Sequence, residues 1–175
     1  LDIVEIDAIN ALLAADQIVI AGGGGGIPVL KQGSRLKSAS AIVEKDLTSG
    51  KLADLTDADV LMILTNEEHV CIHYHTDAPL PLEHISAAEA RRHMEAGEFG
   101  EAGMLPKIEP SVNFVSQKDN RTAIITSIDH AMAALHGKTG TVISQLKKSP
   151  AGLENGSPFY LSETYNIYGI CNQNF

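Results

Sequence analysis

The sequence predicts an α/β fold, a three-layer sandwich built on a mostly parallel sheet. Three observations carry that expectation. Apolar runs at residues 18–21, 60–64 and 122–126 alternate with longer segments of helical periodicity, the order that βαβ units produce. The run Val60-Leu61-Met62-Ile63-Leu64 has no polar interruption, as a central parallel strand buried on both faces requires. A chain of 175 residues, 44% hydrophobic and 20% charged, is long enough to bury one real core.

The first element is a helix, because Ile3, Ile6, Ile9, Leu12 and Leu13 recur at helical spacing with polar residues between them. Its apolar stripe is expected to lie on a sheet that begins at Ile18. Ile18-Val19-Ile20-Ala21 reads as a buried strand and runs straight into five glycines, residues 22–26, closed by Ile27 and Pro28. Gln32-Gly33-Ser34 has hairpin chemistry between residues 28–31 and 35–37, with Gly33 supplying the positive φ. Ala41-Ile42-Val43 is a further strand candidate delivering Glu44, Lys45 and Asp46 to its end.

From Asp46, a candidate N-cap, the pattern turns helical, with Gly50 as a weak spot. Strand 60–64 follows, and Thr65-Asn66-Glu67-Glu68 stands where such a strand ends, at the edge of an α/β sheet that ligands favour. Val70-Cys71-Ile72 is a shorter strand candidate, and residues 76–84 read as a proline-interrupted loop. Ser86 and Glu89 form a capping box that opens a helix through Met94, stopped by Gly97. Another helix starts near Lys107. Strand 122–126, a short helix 128–136 and an edge strand 140–143 complete the pattern. The tail, residues 149–175, has no clear period and reads equally as an ordered arm on a partner or a disordered end.

Composition narrows the function. A net charge of −9 makes nucleic acid a poor general partner, because the summed field repels phosphate backbones. No apolar run reaches the roughly 20 residues that span a bilayer, and the first residues lack the basic-then-apolar order of a secretion signal. No membrane association and a cytoplasmic location are expected. Cys71 and Cys171 give no disulfide framework.

The glycine run is the strongest chemical signal. Without Cβ atoms, several backbone N–H groups can converge on one anion, and a phosphate is the natural occupant. The alternative is a flexible turn beside the sheet. The run is neither a phosphate loop ending in Gly-Lys-Ser/Thr nor a dinucleotide fingerprint. Lys45, Asp46 and Lys107 each stand next to an element end. Phosphoryl transfer needs positive charge on the moving oxygens and a carboxylate to orient the lysines, although solvated surface residues account for the same pattern.

Several stretches in one order extend this reading: Gly22-Gly23-Gly24-Gly25-Gly26-Ile27-Pro28-Val29, Glu44-Lys45-Asp46-Leu47, Ile63-Leu64-Thr65, Gly103-Met104-Leu105-Pro106-Lys107-Ile108-Glu109, and Ile124-Ile125-Thr126-Ser127 with Gly140-Thr141. Together they resemble the amino acid kinase family and, within it, the carbamate kinases, in their C-terminal half only. The resemblance implies the end of a carbamate-binding domain at residues 1–45, a nucleotide-binding domain at 46–148 and an unmatched tail. It implies ATP or ADP with Mg2+ as cofactors, carbamate or carbamoyl phosphate as substrate, and a homodimer. Asp46 resembles the aspartate that holds catalytic lysines, Lys45 the lysine beside it, and Lys107 the lysine of a Met-x-Pro-Lys motif that stabilises charge during transfer. Gly23, Gly24 and Gly25 resemble the loop lining the phosphoryl side of the cleft. Thr65, Met104 and Ser127 fall in segments expected near the nucleotide. Glu44, and Asn66-Glu67-Glu68-His69 after Thr65, depart from the family's usual residues.

Other clusters are weaker. His69, His73 and His75, with Glu67 or Asp77, have the residue types for a metal site, but solvated loop residues explain them more simply. Cys71 reads as a small hydrophobe, and Arg91 and Arg92 as the wet face of a helix. Two functions fit: an ATP:carbamate phosphotransferase whose isolated chain is inactive, and a noncatalytic nucleotide-binding or subunit-interaction module.

Overall fold

A computed structural model describes residues 2–73, 76, 78–99, 103–146 and 167–171. Its centre is a five-stranded sheet of order β6-β8-β7-β3-β9, formed by His84–Ser86, Thr141–Ser144, Thr122–Ser127, Val60–Thr65 and Ile167–Cys171. β3 is parallel to both of its neighbours and β6 is parallel to β8, while β7 and β8 are antiparallel. The sheet is therefore mixed and mostly parallel, as the uninterrupted apolar run of β3 requires.

Alternation along β3 and β7 divides the core into two layers. Leu61, Ile63, Ala123 and Ile125 face a large cluster with Ala53 of α2 (Lys45–Leu55), Ala90 of α3 (Ala87–Glu95), and Ile108, Val112 and Val115 of α4 (Leu105–Gln117). Val60, Met62 and Ile124 face the other way, onto Ala131, Ala134 and Leu135 of α5 (Ala131–Leu135). Helices on both faces give the expected three layers. The capping box at Ser86 and Glu89 is present in both directions, and Gly97 follows α3 with a φ of 68°. α1 (Ile6–Ala14) and an exposed hairpin of β1 (Val29–Gln32) and β2 (Arg35–Ser38) precede these elements, with Gly33 at φ 60° in the turn.

Four local expectations are corrected. Residues 18–21 and 41–43 form no strand: they pair with no sheet in this structure, and Ile18 and Ile42 are 97% and 99% exposed. α1 consequently buries only Ile9 instead of a whole stripe. Residues 76–84 are more than a loop: β5 (Leu80–Leu82) pairs antiparallel with β4 (Val70–Ile72), and β6 begins at His84. β8 is not an edge, since β6 covers its outer side, and β9, from the tail, forms the opposite edge. The rest of the tail, like His75 and Asp77, lies outside the described residues.

Candidate phosphoryl-transfer site

Two helices deliver the central pair. α2 leads into β3 and α4 into β7, so both helices begin at the C-terminal edge of the parallel strands, where Thr65 and Ser127 end as register partners. α2 and α4 pack on each other, and the contact is close because Gly50 lacks a side chain: a Cβ there would lie 2.7 Å from Pro110 Cβ. The residue that looks weak for a helix is the one that lets the helices meet.

Lys107 Nζ consequently donates to Asp46 Oδ2 at 3.1 Å, across 61 residues of sequence. Both are enclosed, Asp46 at 1% and Lys107 at 6% exposure. Burial pushes the Asp46 carboxyl above its usual range, and the Lys107 charge and hydrogen bond, with Lys45, oppose that rise without cancelling it. A buried pair whose carboxyl is raised despite its partner is a weak contributor to stability. Its position is at the C-terminal edge of the parallel strands, where α/β sheets commonly bind ligands.

Asp46 is not the N-cap expected of it. Glu44 caps α2, its side chain accepting from Asp46 N–H at 3.5 Å, and Asp46 is the second residue of the helix, two positions past the cap, where its side chain meets Lys107 of α4. Lys45 is the first residue of α2, half-buried, close enough for its charge to act on Asp46.

The glycine run abuts this helix start. Thr48 Oγ1 donates to Gly25 O at 2.7 Å, and Gly25 is buried at φ 120°, where a Cβ would fall 2.1 Å from Val43 O. Gly22 and Gly23 also have positive φ, while a Cβ at Gly23 or Gly24 meets nothing within 4 Å. Gly25 is therefore the tether and Gly23 and Gly24 the open part of the loop. Thr48 was not singled out from sequence; nothing distinguishes a helical threonine until the loop that it holds is in place.

Met104 is the N-cap position of α4 and packs on the main core cluster. Ser127 contacts His130 Nδ1 through its hydroxyl at 2.7 Å, and His130 Nε2 lies 3.8 Å from Glu68 Oε1. Thr139 donates to the same Glu68 oxygen, and this contact is the first cause of the lowered Glu68 pKa. The loops after β3 and β7 are thus tied together at the ligand edge.

The histidine reading does not gain support. His73 is exposed at φ 57°, off the extended strand that would align it with His75, and no group of three or more His, Cys, Asp or Glu gathers for a metal among the described residues. Burial pushes the Cys71 thiol up, the opposite of an activated nucleophile. Arg91 is exposed and donates to Ser116. No helix among the described residues is long and apolar enough to cross a membrane.

Comparison with known proteins bears on the same segments. The model of the amino acid kinase family matches residues 1–127. The chain belongs to the amino acid kinase family. It is 43% identical over 144 residues to a carbamate kinase-like protein, YqeA, of Escherichia coli, covering 82% of this chain and 46% of that protein. A carbamate kinase of Clostridium perfringens is 43% identical over 142 residues, 81% of this chain and 45% of that one. Among solved structures, carbamate kinase from Giardia lamblia bound to AMP-PNP matches with a TM-score of 0.80 and 34% identity, covering 83% of this chain and 51% of that one. The chain spans about half the length of the relatives it matches. The motif-based expectation of a C-terminal half only is corrected: the family match runs through residues 1–127, the N-terminal part of this chain.

Proposed function

We propose that this chain supplies the nucleotide-phosphate side of an ATP:carbamate phosphotransferase. The observation that carries the reading is the buried Asp46–Lys107 pair, held at the start of α2 against the glycine run. Residues 46–148 are read as the nucleotide side and residues 1–45 as the acid-substrate side. The relatives' names support carbamate, and the AMP-PNP bound to the Giardia enzyme supports an adenine nucleotide here.

In this reading the terminal phosphoryl group lies between the N–H groups of Gly23 and Gly24 and the Lys107 ammonium. Helix α2 adds the partial positive charge of its N-terminus. Transfer is direct: the bond from phosphorus to the bridging oxygen of ADP breaks as the bond to a carbamate oxygen forms, giving carbamoyl phosphate and ADP. Asp46 fixes Lys107 so that its charge needs no reorganisation as negative charge shifts during transfer. Lys45, less enclosed, takes an outer phosphate oxygen. Among the described residues no group of three or more carboxylates, histidines or cysteines gathers to hold magnesium, and an ion bound with the nucleotide would supply charge neutralisation of its phosphates. A homodimer is part of the same proposal.

Because the chain spans about half the length of its relatives, the isolated chain is read as a nucleotide binder with little turnover of its own, since misplacing one reactant forfeits most of the advantage of proximity. Isothermal titration with ADP and with AMP-PNP tests this. Saturable one-to-one binding is expected, weakened about tenfold or more by Gly25→Ala, which strains the loop while the circular dichroism of the helices stays unchanged. Absence of binding, or binding indifferent to Gly25→Ala, would exclude the reading.

A further inference from the structure

The β3 edge now taken by the tail has a second claimant within the chain. Residues 18–21 are Ile-Val-Ile-Ala, with the β-branched character of a strand, yet Ile18 and Ile20 are almost wholly exposed. They precede α2, and α2 precedes β3, which is the order of a strand-helix-strand crossover. Such a crossover places its first strand parallel to the second, with the helix covering one face. α2 lies in that position, against β3 and β9. β3 has two sides, and β7 holds one of them. The other side already accepts a parallel strand: β9 pairs with β3 from Val60↔Ile167 to Leu64↔Cys171, in the direction that the crossover demands.

We propose that the outer edge of β3 is one parallel-strand slot with two occupants, residues 18–21 and residues 167–171, and that occupation by the tail leaves Ile18 and Ile20 in solvent. Exchange has a consequence for the glycine run. With residues 18–21 in the slot, the strand would end at the sheet edge where Thr65 ends, so residues 22–26 would continue directly from a paired strand into the site. The tail then acts as a built-in competitor for ordering of the glycine loop. That consequence rests on the phosphate-binding reading; the exchange itself does not, and its test uses no ligand.

Hydrogen–deuterium exchange on the full chain measures slot occupancy directly. Only alternate residues of an edge strand donate to its neighbour, so Gly169→Pro and Ile170→Pro are made separately, and one of them removes a ladder N–H. In the variant that loses protection over 167–171, amides of 18–21 are expected to slow about tenfold or more. Unchanged fast exchange at 18–21, with β3 and β7 still protected, overturns the proposal. Should either proline strip protection from β3 and β7 as well, the reciprocal variant Ile20→Pro decides, since it alters a segment that is unpaired in this structure. It is expected to deepen protection at 167–171, and no change there overturns the proposal.

Discussion

At the scale of single residues, Lys107 and Asp46 meet in a contact that is closed to water. A lysine enclosed to this degree ordinarily loses more by desolvation than it gains from one partner, and the raised Asp46 carboxyl shows that burial dominates on the acid's side. The pair therefore makes better sense as a preorganised site than as a stabilising bridge. On the proposed function, Lys107→Ala in a full-length phosphotransferase background is expected to lower turnover about 100-fold or more while altering nucleotide affinity much less, the split that a transition-state contact produces. Asp46→Asn should be similarly severe, with Lys107 left in place but no longer aimed. Steady-state kinetics with ADP and carbamoyl phosphate checks both, and near-normal turnover in either variant removes that residue from the catalytic set. The type and motif context of these residues were legible in the sequence. Their contact was legible only through the family resemblance and not in any local pattern, because 61 positions separate them and only the α2–α4 packing joins them.

Elements explain why that packing exists. Gly50 costs helix propensity, about 1 kcal/mol relative to alanine, and in an isolated helix Gly50→Ala would stabilise. Here the added methyl would meet Pro110 at 2.7 Å and wedge α2 from α4. Overpacking of this kind costs about 1–3 kcal/mol, so the variant is expected to be less stable by urea denaturation, against the propensity rule. An unchanged or raised midpoint would show that the helix contact is looser than described. A second element-level prediction concerns the opposite end of the sheet, where Asp57, at φ 55° after α2, receives Lys118 and Arg121. The hydrogen bonds from Lys118 and Arg121 hold its carboxyl below the usual aspartate range. A depressed carboxylate contributes stability above its unfolded pKa and loses it as pH falls through the folded one. Asp57→Asn, which tolerates the same backbone conformation, should therefore lower stability at pH 7 by about 0.5 kcal/mol, given the exposure of the pair. The gap to the parent should narrow as pH falls below the usual aspartate range and close once the folded carboxyl is protonated, as denaturation at a series of pH values would show; a gap that persists at low pH would assign the loss to something other than the charge.

For the whole molecule, the sequence was most informative where local pattern and burial agree. β3, β7, the capping box at Ser86 and the hairpin at Gly33 stand where periodicity and turn chemistry put them. It was least informative where a strand depends on a distant neighbour: residues 18–21 have the composition of a strand but pair with no strand in this structure, and β8 became interior only because β6 arises from a segment interrupted by prolines. Sheet order is a property of the fold and is not carried by any one segment. The same holds for the candidate site, whose parts come from the glycine run, two helix starts and two strand ends. Because those parts converge at one edge of the sheet, they can be tested together. At 18.6 kDa the chain suits amide-resolved NMR, and titration with AMP-PNP and magnesium is the most direct measurement. Saturable shifts at Gly23, Gly24, Lys45, Thr65, Lys107 and Ser127 are expected, with Asp57, Lys118 and Arg121 at the far edge unmoved; shifts confined to that far edge, or none at any concentration, would contradict a phosphate site at the Asp46–Lys107 pair.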